Sequence, residues 1–181
     1  MKNIFTLLLL IFTIYTYTQN PKIEYENFKL QEDKKIVWQK VYEFKGSKDS
    51  ITEILKEFIT TNSFLNNLKY SNYGFTGFSS YTKISDLSGL PIAVRTDFNS
   101  FISIEIKENR YRISISNIKF KPINMDFGGI EMNTNFILED ITVRNNYHEI
   151  RKNNTARKTL SKLNKDFIEI LTLKTNKKED W

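Results

Sequence analysis

The sequence predicts an α+β fold, an antiparallel sheet with two amphipathic helices packed across one face. Two kinds of pattern lead there. In Phe101–Ile118 (FISIEIKENRYRISISNI), Ile102, Ile104 and Ile106 alternate with Ser103 and Glu105, and Tyr111, Ile113 and Ile115 alternate with Arg112, Ser114 and Ser116. Ile51, Ile54, Leu55, Phe58 and Ile59 recur at helical spacing, as do Ala156, Leu160, Leu163, Phe167, Ile170 and Leu171. Strand side chains alternate between faces and helix side chains repeat every third or fourth position, so each segment carries one apolar side to bury. An antiparallel sheet taking both helix stripes on its isoleucine face is the economical solution.

The hairpin sets the register. A tight turn at Glu108-Asn109, where Asn tolerates positive φ, puts Ile106 opposite Tyr111, Ile104 opposite Ile113 and Ile102 opposite Ile115. The other face then pairs Glu105 with Arg112 and Ser103 with Ser114. A slip of one residue would oppose apolar and polar side chains at every rung. The Ser103, Glu105, Arg112, Ser114 and Ser116 side is left facing water or a partner.

Taken in order, residues 1–18 read as a signal peptide. Lys2 supplies a minimal positive region, and Ile4–Ile14 is an uncharged apolar run, too short for the roughly 20 residues of a transmembrane helix. Cleavage is expected near Thr18, the alternative being an uncleaved N-terminal anchor. Residues 19–35 read as an extended lead-in, and 36–175 as a single α+β domain. Ile36–Phe44, rich in β-branched and aromatic residues, is its first strand. Ser50 and Glu53 match a capping box opening the first helix, which Thr60-Thr61-Asn62 ends. Short strands are expected around Leu68–Tyr73 and Phe75–Ile84. Gly128-Gly129 marks a turn, and Phe136–Val143 is either a strand or irregular. Thr155–Lys174 forms the last helix, and 176–181 a frayed tail.

Composition narrows the chemistry. The chain has no cysteine, which excludes disulfides, zinc–thiolate sites, cysteine nucleophiles and a lipid anchor on cysteine. Formal net charge is +6, and the excess sits late: Arg144–Lys178 holds ten Lys/Arg against three acidic residues. Such a segment either favours anionic partners or is a solvated, lysine-rich helix face.

The order of strand, capped helix, strands, hairpin and late helix resembles a domain-of-unknown-function family of small exported bacterial proteins. The likeness rests on Trp38-Gln39-Lys40-Val41-Tyr42, the helix Ile51–Ile59 and IEIKENRYRISISNIKF from Ile104 to Phe120. The family hairpin commonly reads lysine-aspartate-glycine-arginine-tyrosine-arginine. Lys107, Arg110, Tyr111 and Arg112 match it, while Glu108 and Asn109 depart from it. The resemblance covers about Ile36–Phe120 and implies a fold like the TATA-box-binding protein (TBP-like). Its motifs are structural, so it implies no site. DNA binding does not follow from the fold name, because an exported chain does not meet the chromosome.

No residue stands out as catalytic, cofactor-binding or metal-ligating. His148 is the sole histidine, and one imidazole makes no multi-histidine metal site. Glu139-Asp140 with Asp97 or Glu105 could form a carboxylate pair, although Glu105 already has Arg112 as a cross-strand partner. Tyr70, Tyr73, Phe75, Phe78 and Tyr81, with Lys69 and Lys83, could make a carbohydrate- or peptide-stacking surface or simply pack a sheet. Asp49-Ser50-Ile51 and Asn153-Asn154-Thr155 match glycosylation patterns, and a helix cap explains Ser50 equally well.

These observations support an exported periplasmic or secreted protein, a non-catalytic binding or interaction module for a protein, peptide or glycan of the envelope. No nucleic acid and no cofactor are expected. The alternatives are a hydrolase using paired carboxylates and weak contact with an anionic membrane surface through Lys158, Lys162 and Lys165.

Overall fold

The chain joins the sheet earlier than its periodicity suggests. The computed structural model describes residues 22–71, 73–126 and 131–173. The leader expected at 1–18, the turn expected at Gly128-Gly129 and the frayed tail expected at 176–181 lie outside the described residues. Within the expected lead-in, β1 (Glu24–Tyr25) and β2 (Phe28–Leu30) form an edge hairpin whose Phe28 and Leu30 are buried. The domain therefore includes residues assigned to an extended arm. Two apolar positions around Lys29 are too few to register as a pattern, and burial comes from pairing with β3 (Ile36–Glu43).

The helix α1 (Lys48–Thr61) starts two residues before the expected cap. Ser47, not Ser50, is the N-cap: its side chain accepts a hydrogen bond from the Ser50 amide at 3.2 Å. Glu53 turns outward to Lys56 at 2.6 Å instead of closing a box. The next strands are shorter than the aromatic run suggests, with β4 at Lys69–Ser71 and β5 at Gly74–Phe78. Gly74, at φ +144°, lies so close to β6 (Phe98–Lys107) that a Cβ would sit 1.8 Å from the Ile104 carbonyl oxygen. Beyond β5 only one bridge, Thr82 to Phe98, continues the pairing. The chain then runs as a loop to β6.

β6 and β7 (Arg110–Asp126) pair in the expected register, with Ile104 opposite Ile113 and Glu105 opposite Arg112. Asn109 takes the turn at φ 60°. A bulge then occurs: Ser116 to Lys119 on β7 spans what Phe101 to Asn99 spans on β6, with Asn117 at φ 53°. Ile115 and Ile118, an odd number apart, would otherwise face opposite sides. The extra residue restores the phase, so Ile115, Ile118 and Phe120 are all buried.

The segment least legible in sequence is β8 (Glu131–Ile137), which pairs with the far half of β7, followed by the one-turn helix α2 (Leu138–Thr142). A small ribbon follows, β9 (Val143–Arg144) with β10 (Glu149–Ile150), and then α3 (Asn154–Leu171). The sheet order is β1-β2-β3-β7-β6-β5-β4, with β8 beside β7 and every pair antiparallel.

Both helix stripes share one core with the isoleucine face. Phe167 of α3 is the hub, with ring centroids 5.5 Å from Trp38, 6.0 Å from Phe98 and 6.4 Å from Phe28 and Phe64. Asn164 fixes the helix against the sheet, its Oδ1 accepting from Trp38 Nε1 at 2.8 Å and Asn27 Nδ2 at 2.7 Å. Asp166, also buried, accepts from the Ser85 amide and hydroxyl, and Lys162 of the same helix holds Asp86 at 2.7 Å. The loop between β5 and β6 is thus strapped across α3.

Candidate functional site

Cross-strand partners share a face, so the pairings define rungs on the sheet side turned away from the helices. Phe78, Phe101 and Ser116 form the first rung, followed by Thr76, Ser103, Ser114 and Gln39. The third runs Gly74, Glu105, Arg112 and Val41, and the last Lys107, Arg110 and Glu43. Phe78 and Val41 are each 50% exposed, which is high for large apolar residues on a sheet. The Phe78 and Phe101 rings meet edge-on, with centroids 5.5 Å apart. Gln39 Nε2 donates to Ser114 Oγ at 2.9 Å.

At the hairpin end, a depression of about 230 Å³ is lined by Val41, Glu105, Lys107, Arg110, Tyr111 and Arg112. Arg112 Nη2 contacts both Glu105 oxygens, at 2.6 and 2.7 Å. The turn beneath is held from three sides. The Asn109 carbonyl accepts from the Phe44 amide at 2.9 Å, the Asn109 amide donates to the Gly46 carbonyl at 3.1 Å, and Glu108 accepts from the Lys48 amide at 3.2 Å. On the covered face behind it, Tyr42 and Tyr111 stack with centroids 5.0 Å apart. Burial pushes both phenols above their ordinary pKa, and the Tyr42 charge adds to the effect on Tyr111.

Each candidate carboxylate has a partner of its own. Glu139 accepts the Ile36 amide at 2.9 Å, and Asp140 accepts the Ile137 amide at 3.1 Å at the head of α2. Asp97 pairs with Lys121 at 2.7 Å, and the ammonium hydrogen bond holds its carboxyl below the usual value. Among the described residues, no group of three or more His, Asp or Glu side chains is placed to hold a metal ion. His148 caps a short 3₁₀ turn in a left-handed conformation, φ 45°.

The supposed aromatic cluster comes apart. Phe75 is buried, Tyr70 packs on it edge-on beneath Lys56, and Tyr73 lies in the β4–β5 turn. Tyr81 sits under Lys121, with Nζ 4.6 Å from its centroid. Phe78 lies on the open face, where its ring meets Phe101. The strand-pairing register is the signal that could have joined them. Of the three lysines on α3, Lys162 is occupied, bonded to Asp86 and to the Ser88 carbonyl and hydroxyl. Ser50 lies in the first turn of α1, and Asn153 is the N-cap of α3, accepting from the Ala156 amide at 2.9 Å. A second, more open concavity is formed by residues 144–153. In it Glu149 lies between Arg144 and Lys152, Arg144 covers the Tyr147 ring, and Arg151 donates to the Val143 carbonyl.

No protein-family model and no curated protein matches this sequence. Similar solved structures include a DUF4468 family protein from Bacteroides ovatus, with a TM-score of 0.51 and 14% identity over 78% of this chain and 86% of that one. A TBP-like protein from Parabacteroides distasonis aligns with a TM-score of 0.49 and 17% identity over 77% of this chain and 94% of that one. At such identities the likeness to the Bacteroides ovatus protein shows the fold alone. It agrees with the α+β arrangement of antiparallel sheet and helices described above.

Proposed function

We propose that this chain is an exported, non-catalytic binding domain of the bacterial envelope or secreted milieu, and that it meets its partner with the open face of the sheet. The observation that carries the reading is the contrast across that sheet. One side is filled by both helix stripes, whereas the other presents polar rungs ending in exposed Val41 and Phe78. Side chains of this kind on a firmly backed surface suit recognition. The leader-like residues 1–18 support export.

The test presents the immobilised protein with an envelope extract of its source cells. A component held by the wild type and lost from a Ser103→Arg/Ser114→Arg variant, but kept by Lys158→Glu on α3, supports the reading. Equal retention by the face variant overturns it. Export is checked by the mass of the protein recovered from intact cells: loss of about the first 18 residues is expected, and an uncut chain confined to the cytoplasm would refute it.

A further inference from the structure

We propose that Lys107, Arg110 and Arg112 hold the acid group of an anionic oligosaccharide, whose sugar rings run along the open face toward Phe78 and Phe101. The inference rests on the open-face reading and assigns its ligand class.

Charge is the first argument. Lys107 and Arg110 are direct partners on the last rung, and like charges so placed repel. Neither makes an ion pair among the described residues, although Glu43 stands opposite Arg110 in register on β3. The one carboxylate lining the depression, Glu105, is already engaged by Arg112. That contact uses only Nη2, so the other donors of the Arg112 fork remain for a carboxylate or sulfate. Glu108, in the turn between Lys107 and Arg110, accepts from the Lys48 amide. An incoming anion would relieve the repulsion, and the anchored turn lets it bind without ordering a loop.

The rest of the face selects the ligand class. From Phe101 to Lys107 is six residues, roughly 20 Å along β6. Over that length the surface passes from aromatic rings through Ser116, Ser103, Thr76 and Gln39 to the cations. Central strands have their backbone groups paired on both sides, so a peptide finds no ladder to join there, and strand addition needs an edge. A glycan needs none: its hydroxyls bond side chains and its apolar ring faces pack on aromatics.

Calorimetric titration of the purified protein tests this with hexagalacturonate, a sulfated hexasaccharide, neutral maltohexaose, hexaglutamate and a short DNA duplex. Binding of either acidic sugar, at least tenfold tighter than maltohexaose, hexaglutamate and DNA, supports the proposal, and the tighter of the two identifies the acid group. Lys107→Glu/Arg110→Glu should weaken it at least tenfold, and the milder Lys107→Gln/Arg110→Gln severalfold. Raising salt from 50 to 500 mM should weaken it as well. Binding unchanged by charge removal, equal binding of the neutral sugar, peptide or DNA, or no binding of either acidic sugar overturns it. If an envelope component is still held through the Ser103/Ser114 surface, the open face remains the binding face and only the glycan assignment fails.

Discussion

On the covered side of the β6–β7 hairpin, Ile104 and Ile113 stand opposite each other with no exposed surface. One residue further along each strand, Glu105 and Arg112 also stand opposite each other, yet their side chains are 41% and 42% exposed. The two rungs share backbone, strand pairing and turn. They differ in what lies above them, helices in one case and solvent in the other. A strand's period of two allows the same residues to supply stability on one face and chemistry on the other with little interference. Substitutions on the two faces should therefore separate cleanly into those that unfold the protein and those that leave it folded with an altered surface.

The sharpest break of this contrast is Phe167→Ala. It removes the ring shared by Trp38, Phe28, Phe64 and Phe98 and should cost about 3–5 kcal/mol in urea denaturation. A loss below about 1 kcal/mol would mean that α3 is not the lid of the core. A subtler probe is alkaline pH. Burial raises the Tyr111 phenol, and that of Tyr42, above the unfolded value of about 10. The stabilising contribution is whole below pH 10 and is lost as pH rises through the folded-state values. The urea midpoint should therefore fall above pH 10, and Tyr111→Phe should flatten that fall. The smallest effect belongs to the open face. Arg112→Ala should change stability by less than about 1 kcal/mol, because an exposed pair is screened by solvent. A larger loss would place Arg112 with the structural residues.

Much of this was written locally. The hairpin register, the Asn109 turn and both helix stripes were legible because each is set by periodicity or by side-chain chemistry within a few residues. The α1 cap slipped from Ser50 to Ser47 because two serines three apart offer the same chemistry, and the path into the helix from Gly46 selects between them. The β1–β2 hairpin was missed because its two buried side chains carry no pattern until Trp38 and Phe167 are beside them. The bulge at Asn117 went unseen for a similar reason: an added residue shows only when the partner strand is counted against it.

The candidate site divides the same way. Sequence alone assigned Ser103, Glu105, Arg112, Ser114 and Ser116 to the polar face, since alternation fixes them one by one. Tertiary structure decided which of them meet. It drew Phe78 to Phe101, and Val41 to Arg110 and Arg112, across strands far apart in the chain, and sent Tyr70, Tyr73 and Phe75 elsewhere. Alternation tells a side chain which way to point, whereas the neighbour it finds there depends on sheet order, and that is settled by how the whole core packs.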